Sequence, residues 1–563
     1  MNNNELIHRI WMFNKNIFQC YRFSIIYFFF LLYIAFRPNG FIFSIPLVIN
    51  IISVMLLISI IAQIPYKPIK VILNIIIIFF ISWSTFFAFE FSDWIWTEAV
   101  ISILNTDSKE ALDMSSTFLL TAIISIAINI TLILLSEKEF KKGLPLPITF
   151  TIILFLSSFI FMIYRAQSLQ LGRGPLIHKI LALPSFRIEY SSTIYLTYAA
   201  PVLYSNITTL YIAIQEFNNI KNNISNINSR KKPSFLYTDS TTIKNQIERI
   251  YLIIGESSNR HHYSLYGYDR PTTPFLDSLN NNSKTFSYYK AISPAPSTAQ
   301  SILRLLSFSG IQFSSDELRL KSSLGIGIDN HYKTYWISNQ PSLGGPENII
   351  STFPTEAENV YYTDSPSLLD PNHSIIKDIT LIPEIKRMHD TNKKQFTIIH
   401  LFGSHIHYSS KFDNKDEQAI PKITKDNTFN NVDYYDRSIH HTDRVLREIY
   451  NLLKGDHNSI AIYISDHGEI VGAGHGFMQQ FEDQYSIPLI FFNFTDIDID
   501  NLVKKYKNSE DENFNTVNLC YILAELMGYQ VTPERVKFAL ENSPFVYLPN
   551  GEIKRFEDIK NIK

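Results

Sequence analysis

Five long apolar stretches fill most of the first 165 residues, and they limit what this chain can fold into more than any other feature of the sequence. A helix that crosses the hydrocarbon core of a bilayer needs about 20 mostly apolar residues in a row. The first stretch is the weakest because Arg22 interrupts it. A cleaved signal peptide is the alternative for this stretch, but a second apolar stretch follows almost at once, which favours a retained helix. We predict five transmembrane helices, at residues 17–36, 41–64, 69–89, 116–136 and 146–164.

Lysine and arginine are concentrated in alternate connections between these stretches. The N-terminal tail and the second and fourth connections contain Arg9, Lys15, Lys67, Lys70, Lys138, Lys141 and Lys142. Short loops rich in these residues stay on the cytoplasmic side of a membrane. The sequence therefore predicts a cytoplasmic N-terminus, a transmembrane domain at residues 1–165, and an outer location for everything after residue 164. In a bacterium this describes a multi-pass inner-membrane protein with a periplasmic C-terminal part.

Charge and cysteine content exclude two other classes of protein. The formal net charge is -2, whereas a nucleic-acid-binding protein needs a concentrated basic face, so we predict no nucleic-acid partner. The two cysteines, Cys20 and Cys520, lie in an apolar stretch and far away in the polar half. This separation excludes a fold held together by a disulfide framework.

The polar remainder of the chain has the pattern of an α/β domain. Residues 166–245 are irregular and end in a run rich in Asn, Ser and Lys, which predicts a connector on the outer face. Short runs of β-branched and aromatic residues follow at 249–255, 285–292, 335–337, 396–402, 460–464 and 487–492. Helix-like segments such as 434–453 lie between several of them. The alternation predicts a mainly parallel sheet covered on both faces, in a domain at residues 246–563.

Carboxylates and imidazoles follow three of these predicted strands. Glu256 comes directly after the first strand, His405 shortly after the fourth, and Asp466 and His467 after the fifth. Active sites of parallel α/β sheets lie beyond the carboxyl ends of the strands. A single Asp-His pair is more typical of a surface loop or a helix cap, but three such places together indicate a metal site. Oxygen and nitrogen donors of this kind suit zinc.

A candidate nucleophile lies where the second predicted strand ends. Prolines make a turn there, and a helix is predicted to begin near Ser297 and Thr298. A hydroxyl group at this place lies at the positive end of the helix dipole, where a phosphate is also stabilised. The alternative is that Ser297 or Thr298 only caps the helix, and the spacing leaves both readings open. The segment contains no cysteine, which excludes a cysteine-derived sulfatase nucleophile here.

The motifs after these strands resemble a known family. The run from Gly255 to Pro274, GESSNRHHYSLYGYDRPTTP, is similar to the signature of bacterial phosphoethanolamine transferases of the alkaline phosphatase and sulfatase superfamily. The similarity continues at residues 297–299, 336–340, 403–405, 435–443, 465–469, 474–476 and 487–488. The segments SLYGY and WISNQ are most similar to the subgroup that modifies heptose in the lipopolysaccharide core.

The resemblance implies a zinc-dependent enzyme on a sulfatase-like fold. Carried over by position, Glu256, Thr298, Asp466 and His467 would bind the catalytic zinc ion, and Thr298 would be the nucleophile. One zinc ion is expected, and the pattern leaves room for a second. Phosphatidylethanolamine would donate the headgroup through a covalent phosphoenzyme, and lipid A, the lipopolysaccharide core or another envelope glycan would accept it.

The resemblance also implies roles for residues around the zinc ligands. His405 and His475 would act as acid and base or bind a second zinc ion, although both could instead be structural. Asn339 would contact the substrate, and so would Thr106 and Glu110 in the third connection between the apolar stretches.

Some features depart from the family pattern and leave the acceptor open. The cysteine pairs of members that act on lipid A are absent, and so is the lysine-containing segment that often follows the Trp–Asn motif. Ser102 replaces the usual asparagine before Thr106 and Glu110. The nearest alternative is a phosphoglycerol transferase of the lipoteichoic-acid-synthase type, but the GYDRPTTP run favours phosphoethanolamine. A non-catalytic membrane sensor would tend to lose the ligand set that this chain keeps.

Overall fold

The computed structural model describes two separate regions of the chain. In the N-terminal region it describes residues 20–37, 45–90, 100, 108–142, 149–158 and short segments between 202 and 218. In the C-terminal region it describes residues 230–238, 246–280, 285–312, 320–340, 353–363, 376–405, 408–423, 430–476, 481–549 and 551–560. Much of the predicted connector at 166–245 lies outside these ranges.

The chain forms two compact units. The first comprises Met1–Ile103 with Glu110–Glu216, and the second comprises Leu104–Lys109 with Phe217–Lys563. The end of the predicted connector belongs to the second unit, because Leu236 pairs with Val531 in a short antiparallel ladder.

Apolar helices make up the described part of the first unit. They are α1 (Arg22–Phe36), α2 (Ile45–Ala62), α3 (Lys67–Glu90), α4 (Ser108–Lys142) and α5 (Thr149–Ser158). Among the described residues, Lys67–Glu90 and Phe118–Lys142 are long and apolar enough to cross a membrane. They coincide with the third and fourth predicted spans, whereas the described parts of α1, α2 and α5 are shorter.

Buried polar contacts join three of these helices. The Tyr27 hydroxyl of α1 donates to Oδ1 of Asn129 in α4 at 2.9 Å, and Nδ2 of Asn129 donates to Oγ1 of Thr85 in α3, also at 2.9 Å. Ile51 and Ile81 pack in the same core. Helices surrounded by lipid gain little from burying apolar surface against each other, so close packing and interhelical hydrogen bonds hold them together.

An eight-stranded sheet forms the centre of the second unit. The strands of this unit are β1 (Leu236–Tyr237), β2 (Arg249–Gly255), β3 (Phe286–Ile292), β4 (Lys333–Ser338), β5 (Asn359–Tyr362), β6 (Gln395–His400), β7 (Ser459–Ser465), β8 (Ser486–Asn493), β9 (Phe514–Asn515), β10 (Gln530–Val531), β11 (Phe545–Tyr547) and β12 (Ile553–Arg555). The order in the sheet is β5-β4-β6-β2-β7-β8-β3-β9. Strands β5, β4, β6, β2 and β7 run parallel, and β8 is antiparallel to both of its neighbours. The predicted, mainly parallel α/β sheet is confirmed.

Helices accompany this sheet along the chain. They are α6 (Pro274–Asn280), α7 (Thr298–Leu306), α8 (Ser323–Asp329), α9 (Ile382–Met388), α10 (Asn414–Ala419), α11 (Asn431–Leu453), α12 (Ile499–Tyr506), α13 (Leu519–Leu526), α14 (Pro533–Asn542) and α15 (Phe556–Lys560). Helix α11 begins with a capping box, in which the side chains of Asn430 and Asp433 each bind the other residue's backbone N–H. Its fully buried apolar side chains are Tyr435, Ile439, Val445, Leu446, Ile449 and Leu453. Tyr435 and Ile439, and likewise Leu446, Ile449 and Leu453, follow one another at three or four residues, which places them on one face of the helix.

The strand register brings the carboxyl ends of four strands to one edge of the sheet. Gly255 of β2 pairs with Ser465 of β7, and His400 of β6 pairs with both Ile254 of β2 and Ser338 of β4. Every residue of β2 and β7 is buried, as expected for central strands of a sheet covered on both faces. The residues that follow these strands therefore meet at a common edge.

Candidate active site

Four predicted site residues from three separate parts of the chain meet at this edge. Glu256 follows β2, Asp466 and His467 follow β7, and Thr298 is the first residue of α7. Oγ1 of Thr298 lies 3.2 Å from Oε2 of Glu256 and 3.2 Å from Nε2 of His467. Nε2 of His467 lies 3.2 Å from Oε1 of Glu256 and 3.3 Å from Oδ2 of Asp466. We call these four residues the Glu256 cluster.

The turn before α7 directs Thr298 into the cluster. Ser297, with φ -147° and ψ 148°, is extended, and its side chain makes no capping hydrogen bond. The hydroxyl of the next residue, Thr298, faces Glu256. The hydroxyls of Ser293 and Ser301 both donate to the carbonyl oxygen of Asp466. These two bonds attach the turn and the helix to the strand-end loop that contains the acidic ligand candidate.

Asp466 has a buried carboxylate oxygen that accepts no hydrogen bond from the described residues, although Nε2 of His467 lies 3.3 Å away. The side chain is 0 % exposed, and Oδ1 accepts hydrogen bonds from the backbone N–H groups of Ser257 and His467, at 3.1 and 2.7 Å. Oδ2 has no hydrogen-bond partner among the described residues. Burial and the nearby charge of Glu256 raise the pKa of Asp466 to about 8. An unpaired buried carboxylate is costly, so this oxygen fits a bound cation.

His467 presents the right nitrogen for such a cation. Its Nδ1 lies 2.8 Å from the carbonyl oxygen of Gly468, and a carbonyl only accepts, so Nδ1 carries the hydrogen. Nε2 is the nitrogen that faces Glu256 and Asp466. Burial alone would lower the pKa of His467, but Asp466 and Glu256 raise it to about 10. A divalent cation would take the place of the proton that these carboxylates otherwise hold on Nε2.

The donor set matches the ligand preferences of zinc. One donor atom each from Glu256, Asp466 and His467 lie within 4.8 Å of one another, and the Thr298 hydroxyl is at hydrogen-bond distance from two of these residues. Carboxylate and imidazole donors suit zinc, and a catalytic zinc site keeps a further position for the reacting group, which the Thr298 hydroxyl would supply. Burial opposes ionisation of Glu256, but its hydrogen bond to His467 holds the pKa of the Glu256 carboxyl well below its usual range.

Both predicted histidines lie beside the Glu256 cluster. Donor atoms of Glu256, His405 and His475 form a second group within 4.8 Å. The ring of His475 is 4.0 Å from that of His467 and 6.0 Å from that of His405, measured between centroids. Burial and the neighbouring His467 lower the pKa of His475. The structure thus brings these two histidines to the place that the sequence predicts, and their roles stay a prediction.

Asn339 binds residues outside the Glu256 cluster, whereas its neighbour Gln340 contacts the cluster. Nδ2 of Asn339 donates to Oδ1 of Asp378 at 2.7 Å, and Oδ1 of Asn339 accepts from the Thr363 hydroxyl at 2.8 Å. Both ends of the Asn339 amide are therefore bound to residues outside the Glu256 cluster. Nε2 of Gln340 donates to Oε2 of Glu256 at 2.9 Å. The contact predicted between Asn339 and the substrate stays a prediction. Successive residues of an extended segment point to opposite sides, and the sequence alone does not reveal which side faces the site.

Two predicted substrate contacts lie beyond what the structure describes. Thr106 is outside the described residues, and Glu110 lies in α4, where the described side chains begin at Phe118. Both stay predictions.

A third group of possible metal ligands is an ion-pair network. Asp413, Asp416 and His441 offer donor atoms within 4.8 Å. However, Arg444 lies 2.7 Å from a carboxylate oxygen of each aspartate, and Nδ1 atoms of His440 and His441 lie 2.7 Å from the two oxygens of Asp416. The guanidinium group of Arg444 already supplies positive charge to both aspartates. We therefore interpret these residues as an ion-pair network that joins α10 to α11 and not as a metal site.

Comparisons with known proteins identify the domain that contains the Glu256 cluster. Residues 249–529 match the family model described as Sulfatase. The chain is 28% identical over 240 residues to the phosphoethanolamine transferase EptC of Escherichia coli (strain K12), covering 40% of each protein. It is 28% identical over 235 residues to the phosphoethanolamine transferase CptA of Salmonella typhimurium, covering 39% of this chain and 40% of that protein. The matches thus span less than half the length of these curated relatives.

One solved structure is similar over most of the chain. It is the integral membrane protein lipooligosaccharide phosphoethanolamine transferase A (EptA) from Neisseria meningitidis, with a TM-score of 0.58 and 17% identity over 89% of both chains. At this identity the similarity shows a shared fold. Together with the match over residues 249–529, it shows that this part of the chain is a sulfatase-family domain.

Proposed function

We propose that the chain is a membrane-anchored, zinc-dependent phosphoethanolamine transferase. It would move phosphoethanolamine from phosphatidylethanolamine to an envelope glycolipid, either lipid A or the lipopolysaccharide core. The observation that carries the proposal is the Thr298 hydroxyl at 3.2 Å from Glu256 and from His467, beside Oδ2 of Asp466, which accepts no hydrogen bond from the described residues. The curated relatives EptC and CptA, which are named phosphoethanolamine transferases, support this choice of headgroup.

Glu256, Thr298, Asp466 and His467 would hold the zinc ion, and His405 and His475 could hold a second. When bound, zinc supplies positive charge that stabilises the phosphoryl oxygens and lowers the pKa of the threonine hydroxyl. The protein positions that hydroxyl before the substrate arrives, since Oγ1 already lies 3.2 Å from Oε2 of Glu256 and from Nε2 of His467.

The reaction would proceed in two displacements at the phosphorus atom. A histidine takes the proton of the Thr298 hydroxyl as Oγ1 attacks the phosphorus of phosphatidylethanolamine, and gives it to the diacylglycerol oxygen as the bond from phosphorus to that oxygen breaks. An acceptor oxygen then attacks the phosphothreonine, a histidine takes the acceptor's proton, the bond from phosphorus to Oγ1 breaks, and the proton then returns to Oγ1. His405 and His475 are the candidates because both lie beside Glu256.

We further propose five transmembrane helices, a cytoplasmic N-terminus and a periplasmic catalytic domain at residues 246–563, joined by the connector at 166–245. Helices α3 and α4 support the membrane assignment, and so does the fold shared with an integral membrane protein. Membrane attachment would keep the site close to a lipid donor that is confined to the same bilayer.

The proposal is tested by identifying the covalent intermediate. Purified full-length protein in detergent is incubated with phosphatidylethanolamine or with phosphatidylglycerol, and its peptides are mapped by mass spectrometry. We expect a zinc-dependent phosphoethanolamine adduct on Thr298, absent in T298A and present in T380A, which alters an exposed threonine of the same domain.

Other outcomes of this experiment would replace the proposal. A glycerophosphate adduct on Thr298 would make the chain a phosphoglycerol transferase. If zinc is bound but neither lipid leaves an adduct, Thr298 is not the nucleophile or the chain is not a transferase of lipid headgroups.

A further inference from the structure

A buried carboxylate lies next to the Glu256 cluster, at a residue that the sequence analysis does not assign to the site. Glu469 is 0 % exposed, and His475 is its one ion-pair partner among the described residues. Neither of these two residues belongs to the four that would bind the catalytic zinc. Because burying a carboxylate without a cationic partner is costly, the placement of Glu469 against a histidine needs an explanation.

Both oxygens of this carboxylate are used. Oε2 lies 2.8 Å from Nδ1 of His475, and Oε1 accepts a hydrogen bond of 2.6 Å from the Tyr408 hydroxyl. The backbone N–H of Gly472 donates to the same hydroxyl oxygen at 3.2 Å, so Tyr408 is left to donate to Glu469. Burial and the charge of Glu469 raise the pKa of Tyr408, which keeps it a hydrogen-bond donor. The carboxylate is therefore fixed from both sides.

This geometry determines which nitrogen of His475 carries the hydrogen. A carboxylate only accepts, so Nδ1 of His475 is the protonated nitrogen and Nε2 keeps its lone pair in the neutral ring. Nε2 has no hydrogen-bond partner among the described residues. With its ring centroid 4.0 Å from that of His467, His475 lies within reach of a group bound at the Glu256 cluster.

We propose that Glu469, fixed by Tyr408, is a positioning residue that holds His475 with Nδ1 protonated and Nε2 available to take a proton from the acceptor. The inference rests on the proposed transfer reaction. As the acceptor oxygen attacks the phosphothreonine, Nε2 takes its proton and the phosphorus–oxygen bond to Thr298 breaks. Nδ1–H stays bonded to Glu469, which remains a carboxylate and stabilises the imidazolium that forms.

A double-mutant cycle separates this role from simple packing. We compare phosphoethanolamine transfer by full-length protein carrying E469L, H475Q or both changes. Losing an orienting partner of this kind costs about 10–100-fold in activity, so we expect that loss for E469L. In the H475Q background E469L should cost less than about 2-fold, because a residue that acts through His475 has nothing left to position. Equal losses in both backgrounds would show that Glu469 only packs and would overturn the proposal.

E469Q keeps a carbonyl oxygen that can accept from Nδ1–H. We expect it to lose less activity than E469L while melting within a few degrees of wild type. Y408F removes one of the two bonds to Glu469 but keeps the ring, and its loss should be smaller than that of E469L. If Y408F is as damaging in the H475Q background as in wild type, Tyr408 acts independently of His475.

The tautomer can be measured without any substrate. In metal-free protein labelled with ¹⁵N-histidine, the signals of His475 are identified by their absence in H475Q. At a pH where the ring is neutral, we expect Nδ1 protonated and Nε2 unprotonated in wild type and in E469Q, and a mixture in E469L. An Nε2-protonated ring in wild type would overturn the inference whatever reaction the enzyme performs. The expected tautomer together with no phosphoethanolamine transfer would overturn only the proposed function.

Discussion

The side-chain amide of Gln340 donates a hydrogen bond of 2.9 Å to Oε2 of Glu256, the carboxylate oxygen that also lies 3.2 Å from the hydroxyl of Thr298. Oε1 of the same carboxylate accepts from the Ser257 hydroxyl at 2.9 Å. Besides its contacts with Thr298 and His467, Glu256 is thus held by one further donor on each oxygen, so its orientation toward the nucleophile is fixed before any ligand binds. Such partners of a metal ligand tune its affinity as well as its geometry.

Replacing Gln340 should weaken zinc binding without unfolding the domain. Q340L removes the donor from Oε2 of Glu256, and we expect the zinc dissociation constant to rise about 10-fold, measured by competition with a chelator. Q418L, which alters an exposed glutamine of α10, serves as the control and should leave it unchanged. Wild-type zinc affinity in Q340L would mean that Ser257 alone holds Glu256 in position.

The charge of Asp466 should have opposite effects on stability with and without zinc. In chelated protein, D466N removes a buried carboxylate that lies near the charge of Glu256, so we expect a higher melting temperature than for wild type. With zinc present, D466N lacks a zinc ligand, and we expect its zinc affinity to fall by at least about 100-fold. Loss of a residue that only hydrogen-bonds a zinc ligand costs up to about 100-fold, and loss of the ligand itself should cost no less. D496N, an exposed aspartate, should change neither quantity. A lower melting temperature in both conditions would show that Asp466 is structural.

Gly403 should tolerate no side chain, because it packs against the backbone that places Glu256. Its φ is +52°, and an added Cβ would lie 2.6 Å from the backbone nitrogen and oxygen of Glu256. The left-handed conformation alone costs about 1–2 kcal/mol for other residues, and the clash must also displace Glu256. We expect G403A to melt several degrees lower and to bind zinc at least about 10-fold more weakly.

G455A provides the matched glycine control. Nothing lies within 4 Å of a Cβ at Gly455, so its stability should stay within about 0.5 kcal/mol of wild type. Should G403A bind zinc as tightly as G455A does, the contact between Gly403 and Glu256 would not control the site.

His400 should make the protein less stable in acid. It is 2 % exposed at the end of β6, its Nε2 has no partner among the described residues, and burial lowers its pKa to about 4. The unfolded chain, with an ordinary histidine pKa of about 6.5, binds more protons between pH 4 and 6.5. The stability contributed by this neutral histidine is therefore complete above about pH 6.5 and is lost as the pH falls toward 4.

The size of this effect follows from proton linkage. Each pH unit below 6.5 costs up to about 1.4 kcal/mol, or a few degrees in melting temperature. Melting curves between pH 7.5 and 5 should therefore fall less steeply for H400L, which cannot take up the proton, than for wild type. H457Q, which alters an exposed histidine, should keep the wild-type slope. Parallel slopes for H400L and wild type would mean that His400 is not the titrating group.

The sequence by itself determined the sheet and the elements that supply the Glu256 cluster. The runs at 249–255 and 460–464 became β2 and β7, and a helix begins at Thr298, one residue from the expected place. These outcomes depend on local patterns, because buried strands are apolar throughout and prolines end a strand before a helix. Residues that follow parallel strands share one edge of the sheet, so Glu256 and Asp466 are expected at the same edge. That β2 and β7 are direct neighbours there is decided by the strand order of the sheet.

Only the tertiary structure decided the contacts that complete the site. Whether Asn339 or Gln340 faces Glu256 depends on a shift of one residue along the chain. It also depends on the buried carboxylate of Asp378, which binds Asn339 from 39 positions further along the chain. The bond from Tyr408 to Glu469 joins residues 61 positions apart and has no counterpart in a local pattern. Secondary structure follows from short-range periodicity, but the orientation of a catalytic side chain depends on partners that approach it through space.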